Sequence, residues 1–111
     1  MVTVNIAEIS KKTSCIDPKM AEPVFEAILK NLREGKHVDV SFNGVDRIIT
    51  AFLNVAIGKL YNPAVFDQSK IDSMLKMTDA TENQKLKTEE VIKYAKMFYN
   101  DPDRLKQIQE D

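Results

Sequence analysis

Apolar and polar residues alternate at Val2, Thr3, Val4, Asn5 and Ile6, which is the period of a strand with one face buried. The pattern then lengthens. Met20, Val24, Ile28 and Leu32 recur every four residues, flanked by Ala21, Phe25 and Leu29, and predict a helix packed on a sheet. Asp17-Pro18 reads as the entrance to that helix, because Asp caps and Pro suits the first turn. Pro23 cannot donate an intrahelical bond, so either the regular helix begins near Glu22 or its first turns are bent. Gly35 supplies the stop. Alternation returns over His37–Phe42, with Val38, Val40 and Phe42 on one face, and Asn43-Gly44 follows as a turn that tolerates positive φ.

After Val45–Ile49 the spacing predicts a helix from about Ala51 to Tyr61, ended by Asn62-Pro63 because the residue before proline avoids the helical region. Residues 71–78 are a weaker third strand. A third helix covers about 82–99, opened by the capping-box spacing of Thr81 and Gln84, with Leu86, Val91, Ala95 and Phe98 on its buried side. Asp101-Pro102 begins a short final helix through Ile108. The order strand–helix, three times over, predicts an α/β fold with a mostly parallel or mixed sheet and helices packed against it. With 111 residues and no repeat or long linker, one domain is expected, with a core over about 2–99 and a helical tail over 100–111.

Composition narrows the function. A net charge of −1 leaves no basic footprint for nucleic acid, and Lys30, Arg33 and Lys36 near a helix end complement its dipole instead. The single cysteine, Cys15, makes no internal disulfide and suits a reducing compartment. No segment approaches the ~20 apolar residues that span a bilayer. The first residues also lack the basic-then-apolar order of a secretory signal, so a cytoplasmic location is expected. One His and one Cys leave no dedicated zinc set, and His37 is expected at a strand end. Phosphate loops, dinucleotide fingerprints and nucleophile elbows are missing, so neither an enzyme nor a cofactor is expected.

The segment VDVSFNGVDRIITAFLNVAIGKL, residues 38–60, resembles the STAS-like family of small bacterial proteins. The family is related to the STAS domains of anti-sigma-factor antagonists and of sulfate transporters. The resemblance rests on Phe42-Asn43-Gly44-Val45, then Ile49-Thr50-Ala51-Phe52-Leu53, then Gly58-Lys59-Leu60. In the antagonist branch the helix entrance reads Asp-Ser-Ser-Gly, and its first serine is phosphorylated by a partner kinase. Set against that pattern, Ile49 takes the Asp position, Thr50 the phosphorylated serine, Ala51 the second serine and Phe52 the glycine. Only Thr50 keeps the hydroxyl. The resemblance thus implies a regulatory protein–protein interaction domain, with Thr50 as candidate phospho-acceptor and a histidine-kinase-type ATPase as partner.

Two roles are open to Thr50, since the same hydroxyl would also serve as a helix cap. The predicted helix 51–61 is apolar almost all round, so part of it is expected to face a partner, with Phe52 and Ile57 the best candidates. A charge at Phe52 is then expected to weaken association more than folding. The expected docking surface comprises Asn43, Gly44, Asp46, Arg47, Thr50, Phe52 and Ile57. A second reading is a structural module that buries the same helix face in a homodimer, without phosphorylation.

Overall fold

The structure, a computed structural model, describes residues 1–100. Strand β1 (Val2–Asn5) passes directly into a short helix α1 (Ile6–Ser10), because the Asn5 side chain accepts the Glu8 N–H at 2.8 Å and caps it. The Asn-x-x-Glu spacing was the available signal for this helix, which the alternation of Val2 to Ile6 concealed. A two-residue strand β2 (Ser14–Cys15) follows. The Asp17 carboxylate then accepts from Lys19 N and opens a 3₁₀ turn, Pro18–Ala21, that runs into helix α2 (Glu22–Arg33). This resolves the Pro23 question: the regular helix starts at Glu22, and Pro23 sits in its first turn, where no N–H is needed.

Helix α2 buries Val24, Phe25, Ile28, Leu29 and Leu32, as their spacing predicts. It ends in a Schellman motif. Gly35 takes φ +77° and donates to Leu32 C=O at 2.9 Å, while Lys36 N–H reaches Asn31 C=O at 3.0 Å. Strand β3 (Val38–Ser41) is the middle strand of a three-stranded parallel sheet, between β1 and β5 (Leu75–Thr78). Val2 lies beside Val38, and Val38 beside Leu75. Strand β4 (Arg47–Ile48) pairs in parallel with β2 to form a second, minimal sheet.

Helix α3 (Thr50–Ala56) is shorter than the spacing suggests, and residues Gly58–Tyr61 form a 3₁₀ turn. The expected third strand over 71–78 is corrected. Its first half belongs to helix α4 (Gln68–Met74), capped by Asp67 through Ser69 N–H at 3.0 Å, and only Leu75–Thr78 is extended. Helix α5 (Glu82–Asn100) starts with the anticipated capping box. Gln84 N–H donates to Thr81 Oγ1 at 3.1 Å, and Thr81 N–H to Gln84 Oε1 at 2.9 Å. The short helix expected from Asp101 lies outside the described residues. Parallel strands with helices packed against them make this a mixed α/β fold.

The largest correction concerns α3. Phe52 and Ile57 were expected at the surface, yet both are 0% exposed. The reason is the neighbours of α3, which are α2, the Pro18–Ala21 turn and the last helix, α5, so apolar residues on several sides are enclosed within one chain. Gly58 permits part of this closure. A Cβ there would stand 3.4 Å from Val91 Cγ1 of α5. Leu86 is corrected in the opposite sense, being exposed, while the inner side of α5 buries Gln84, Thr88 and Val91. Both polar groups are satisfied: Thr88 Oγ1 donates to Gln84 C=O at 2.8 Å, and Gln84 Nε2 to Val45 C=O at 3.2 Å. Among the described residues, no helix is long and apolar enough to cross a membrane.

Tyr61, at the end of the 3₁₀ turn, is buried and donates its hydroxyl to Asp72 Oδ1 at 3.0 Å. Burial, then the Asp72 charge and that hydrogen bond, raise its pKa above the ordinary 10.0. A raised folded-state value means that the stabilisation is fully present below the unfolded pKa and is lost as pH climbs above it. Wild type is therefore expected to lose melting temperature more steeply than Tyr61→Phe between about pH 9 and about pH 11, as thermal scans at stepped pH would register. Parallel curves for the two proteins would refute the assignment.

Candidate docking surface

The surface is built where β3 ends. Ser41 is the last residue of the strand and is buried; its hydroxyl accepts from Asn43 N–H at 3.2 Å and donates to Asp79 Oδ2 at 3.3 Å. Asn5 Nδ2 donates to Asn43 C=O at 3.1 Å. Val45 N–H then donates to Phe42 C=O at 2.9 Å and closes the turn, with Gly44 at φ +87°. This left-handed backbone, together with Ala7 Cβ only 3.4 Å from where a Cβ would stand, demands glycine. Gly44→Ala is expected to cost about 1–2 kcal/mol, measurable as a lowered urea midpoint with an unchanged m-value.

Beyond the turn, the chain is tied down from two sides. Asp46 N–H donates to Thr13 C=O at 2.8 Å and Ile49 N–H to Cys15 C=O at 3.2 Å, the β2–β4 side. From α5, Gln84 holds Val45 C=O, and Lys87 Nζ donates to Ile48 C=O at 3.2 Å. Between these ties lies a polar cleft of about 290 Å³, lined by Asp46, Arg47, Thr81, Asn83, Gln84 and Lys87. The α5 side of the cleft was invisible in the sequence, because Gln84 and Val45 are 39 residues apart.

Five of the seven expected docking residues, Asn43, Gly44, Asp46, Arg47 and Thr50, are exposed and lie on this one tethered segment. Phe52 and Ile57 do not join them. Thr50 also departs from one of its two readings. Ile49, in extended backbone at φ −104° and ψ 160°, occupies the cap position, and no side chain caps α3. Thr50 is the first helical residue, and its hydroxyl makes no hydrogen bond among the described residues. Thr50 therefore does not cap α3, and among the described residues its hydroxyl is without a partner. Asn54, one turn further along α3, is likewise exposed and adds to the same face.

His37 is exposed, and its carbonyl accepts Val2 N–H at 2.9 Å, the strand-end role its position implied. Cys15 is buried, and desolvation raises its thiol above the ordinary value despite a hydrogen bond with Ser10. No group of three His, Cys, Asp or Glu among the described residues is placed to hold a metal ion.

No curated protein and no solved structure matches the chain. A family model described as a STAS-like domain of unknown function (DUF4325) matches residues 20–85, which run from the entrance of α2 into the first turn of α5. The match covers the turn, the tethered loop and α3, and the chain belongs to this family of STAS-like regulatory, protein–protein interaction domains.

Proposed function

We propose that the domain is a phosphorylation-gated docking module. Its partner reads the Asn43–Thr50 loop and the exposed side of α3, and a histidine-kinase-type ATPase phosphorylates Thr50. The observation that carries this reading is the position of Thr50. Its side chain is exposed and makes no hydrogen bond among the described residues, while the chain is fixed on either side of it, at Ile49 by Cys15 and at Phe52 by the core. A hydroxyl presented from a rigid base reaches a partner's active site without any unfolding of the chain that carries it.

In the reaction, the γ-phosphoryl group of ATP passes to Thr50 Oγ1, the hydroxyl proton passes to a base of the kinase, and ADP leaves. The product adds nearly two negative charges to a surface whose cations are Arg47, in the loop, and Lys87, which is already engaged with Ile48 C=O. Docking onto an apolar or acidic partner face would then require desolvation of an unpaired dianion. Undocking follows.

The test is capture from lysate of the source cell with wild-type and Thr50→Glu baits, after circular dichroism has shown that both fold alike. The expected result is an ATP-binding partner retained by wild type alone, with phosphate located on Thr50 by mass spectrometry after incubation with ATP. A partner held equally by both baits, with Thr50 unmodified, would overturn the proposal.

A further inference from the structure

Helix α5 carries apolar residues on its outside. Leu86 is 60% exposed, Tyr94 56% and Met97 38%, whereas the buried side includes Gln84 and Thr88. Leu86, Glu90, Lys93 and Met97 follow one another at intervals of four, three and four, so they form a single stripe on the side opposite Thr88, Val91 and Ala95. Among the described residues nothing covers that stripe.

The order of the four residues is what identifies the occupant. An apolar residue stands at each end, with an anion and a cation between them. Two copies laid antiparallel, with the two-fold axis between Val91 and Ile92, place Leu86 against the second copy's Met97. The same axis places Glu90 against the second copy's Lys93, and symmetry repeats both contacts. A parallel pairing instead opposes Glu90 to Glu90 and Lys93 to Lys93, so the charges select the antiparallel arrangement. Tyr94 flanks the stripe and extends its apolar width.

We propose that the chain forms a two-fold homodimer through the outer face of α5, with the Glu90–Lys93 pair setting register and direction. This interface is centred on α5, adjoins the Thr50 face only where Tyr94 and Asn54 line one cleft, and replaces the apolar face of α3, which is buried, as the site of self-association. The stripe spans about 16 Å of helix, which makes the contact small and the dimer concentration-dependent rather than permanent.

Sedimentation velocity on the full chain over a concentration series tests this. Wild type is expected to shift from monomer to dimer as concentration rises. Glu90→Lys and Lys93→Glu each put like charges across the axis and are expected to raise the dissociation constant by at least ~10-fold, while the double variant returns it to within ~3-fold of wild type. All four positions of the stripe are exposed, so circular dichroism is expected to show the same fold throughout, and the two single reversals serve as replicates of one another. The inference is overturned by a wild type that stays monomeric at every concentration, by a dimer indifferent to both single reversals, or by a double variant that fails to restore it.

Discussion

Phe52→Glu is expected to unfold the protein rather than to disarm a binding face. The ring is enclosed among the core residues gathered around α3, and among the described residues none of the buried side chains is charged. Truncating a buried Phe to Ala already costs about 3–5 kcal/mol through lost transfer energy and the cavity left behind. A buried unpaired charge adds several kcal/mol more, or forces the new carboxyl to remain protonated. Against a total stability of about 5–15 kcal/mol, the sum removes most or all of the folded population. Far-UV circular dichroism and urea unfolding measure it, with Phe52→Leu as a milder control that keeps most of the volume. A Phe52→Glu protein that melts cooperatively near the wild-type temperature would show that α3 opens outward in solution and would return Phe52 to the docking surface.

Thr50→Glu is expected to do the reverse. Its side chain is exposed and makes no hydrogen bond among the described residues, so nothing in the fold is lost, and the melting temperature should move by no more than a few degrees, as is usual for surface changes within about 0.5 kcal/mol. Affinity for the captured partner should fall by ~100-fold or more, since leaving one charge desolvated at an interface costs about 3–5 kcal/mol. Thr50→Val supplies the contrast: it keeps the shape, removes the acceptor, and should bind constitutively whether or not ATP and kinase are present. Titration calorimetry on the three proteins reads the split. Equal affinities for Thr50→Glu and Thr50→Val would leave Thr50 without a switching role.

These two residues, adjacent but for Ala51, show what the chain discloses locally and what it does not. Backbone punctuation was legible because its causes are local. Gly35, Asp17-Pro18, Asn43-Gly44 and the Thr81–Gln84 box each act within four residues, and each stands where its chemistry requires. The first two strands were legible from Val2 and Val4 alternating with Thr3 and Asn5, and from Val38 and Val40 alternating with Asp39 and Ser41, and their parallel pairing from the order of strands and helices. The environment of α3 was not, because the cover for Phe52 and Ile57 comes from α2, before it in the chain, and from α5, far beyond it.

Helix α5 misled for a related reason. Periodicity assigns Leu86 to the interior, but the interior position is held by Gln84 and Thr88, whose polar groups find partners inside the chain. The strand expected over 71–78 failed at its first half because the cap that makes it helical, Asp67 with Ser69, lies ahead of that window. Strands β2 and β4, two residues each, are too short to carry any period. Of the proposed docking surface, the exposed turn at Asn43-Gly44 has local causes, whereas the α5 wall of its cleft exists only through tertiary contact.

Every strand pairing described above is parallel, between β1 and β3, β3 and β5, and β2 and β4. No hairpin is therefore available to nucleate the sheet. Asn5 and Ser41, register partners at the end of the first ladder, are 36 residues apart, and the next crossover is of similar reach. Loop-closure entropy must be met before any ladder bond forms, so refolding should be governed by docking of preformed helical turns and fall on the slow side for a chain of this length, in milliseconds to seconds. Until β3 is seated, both of its edges are open, and the alternating segment Val38–Phe42, with Val38, Val40 and Phe42 on one face, is then the one most at risk of pairing with another chain.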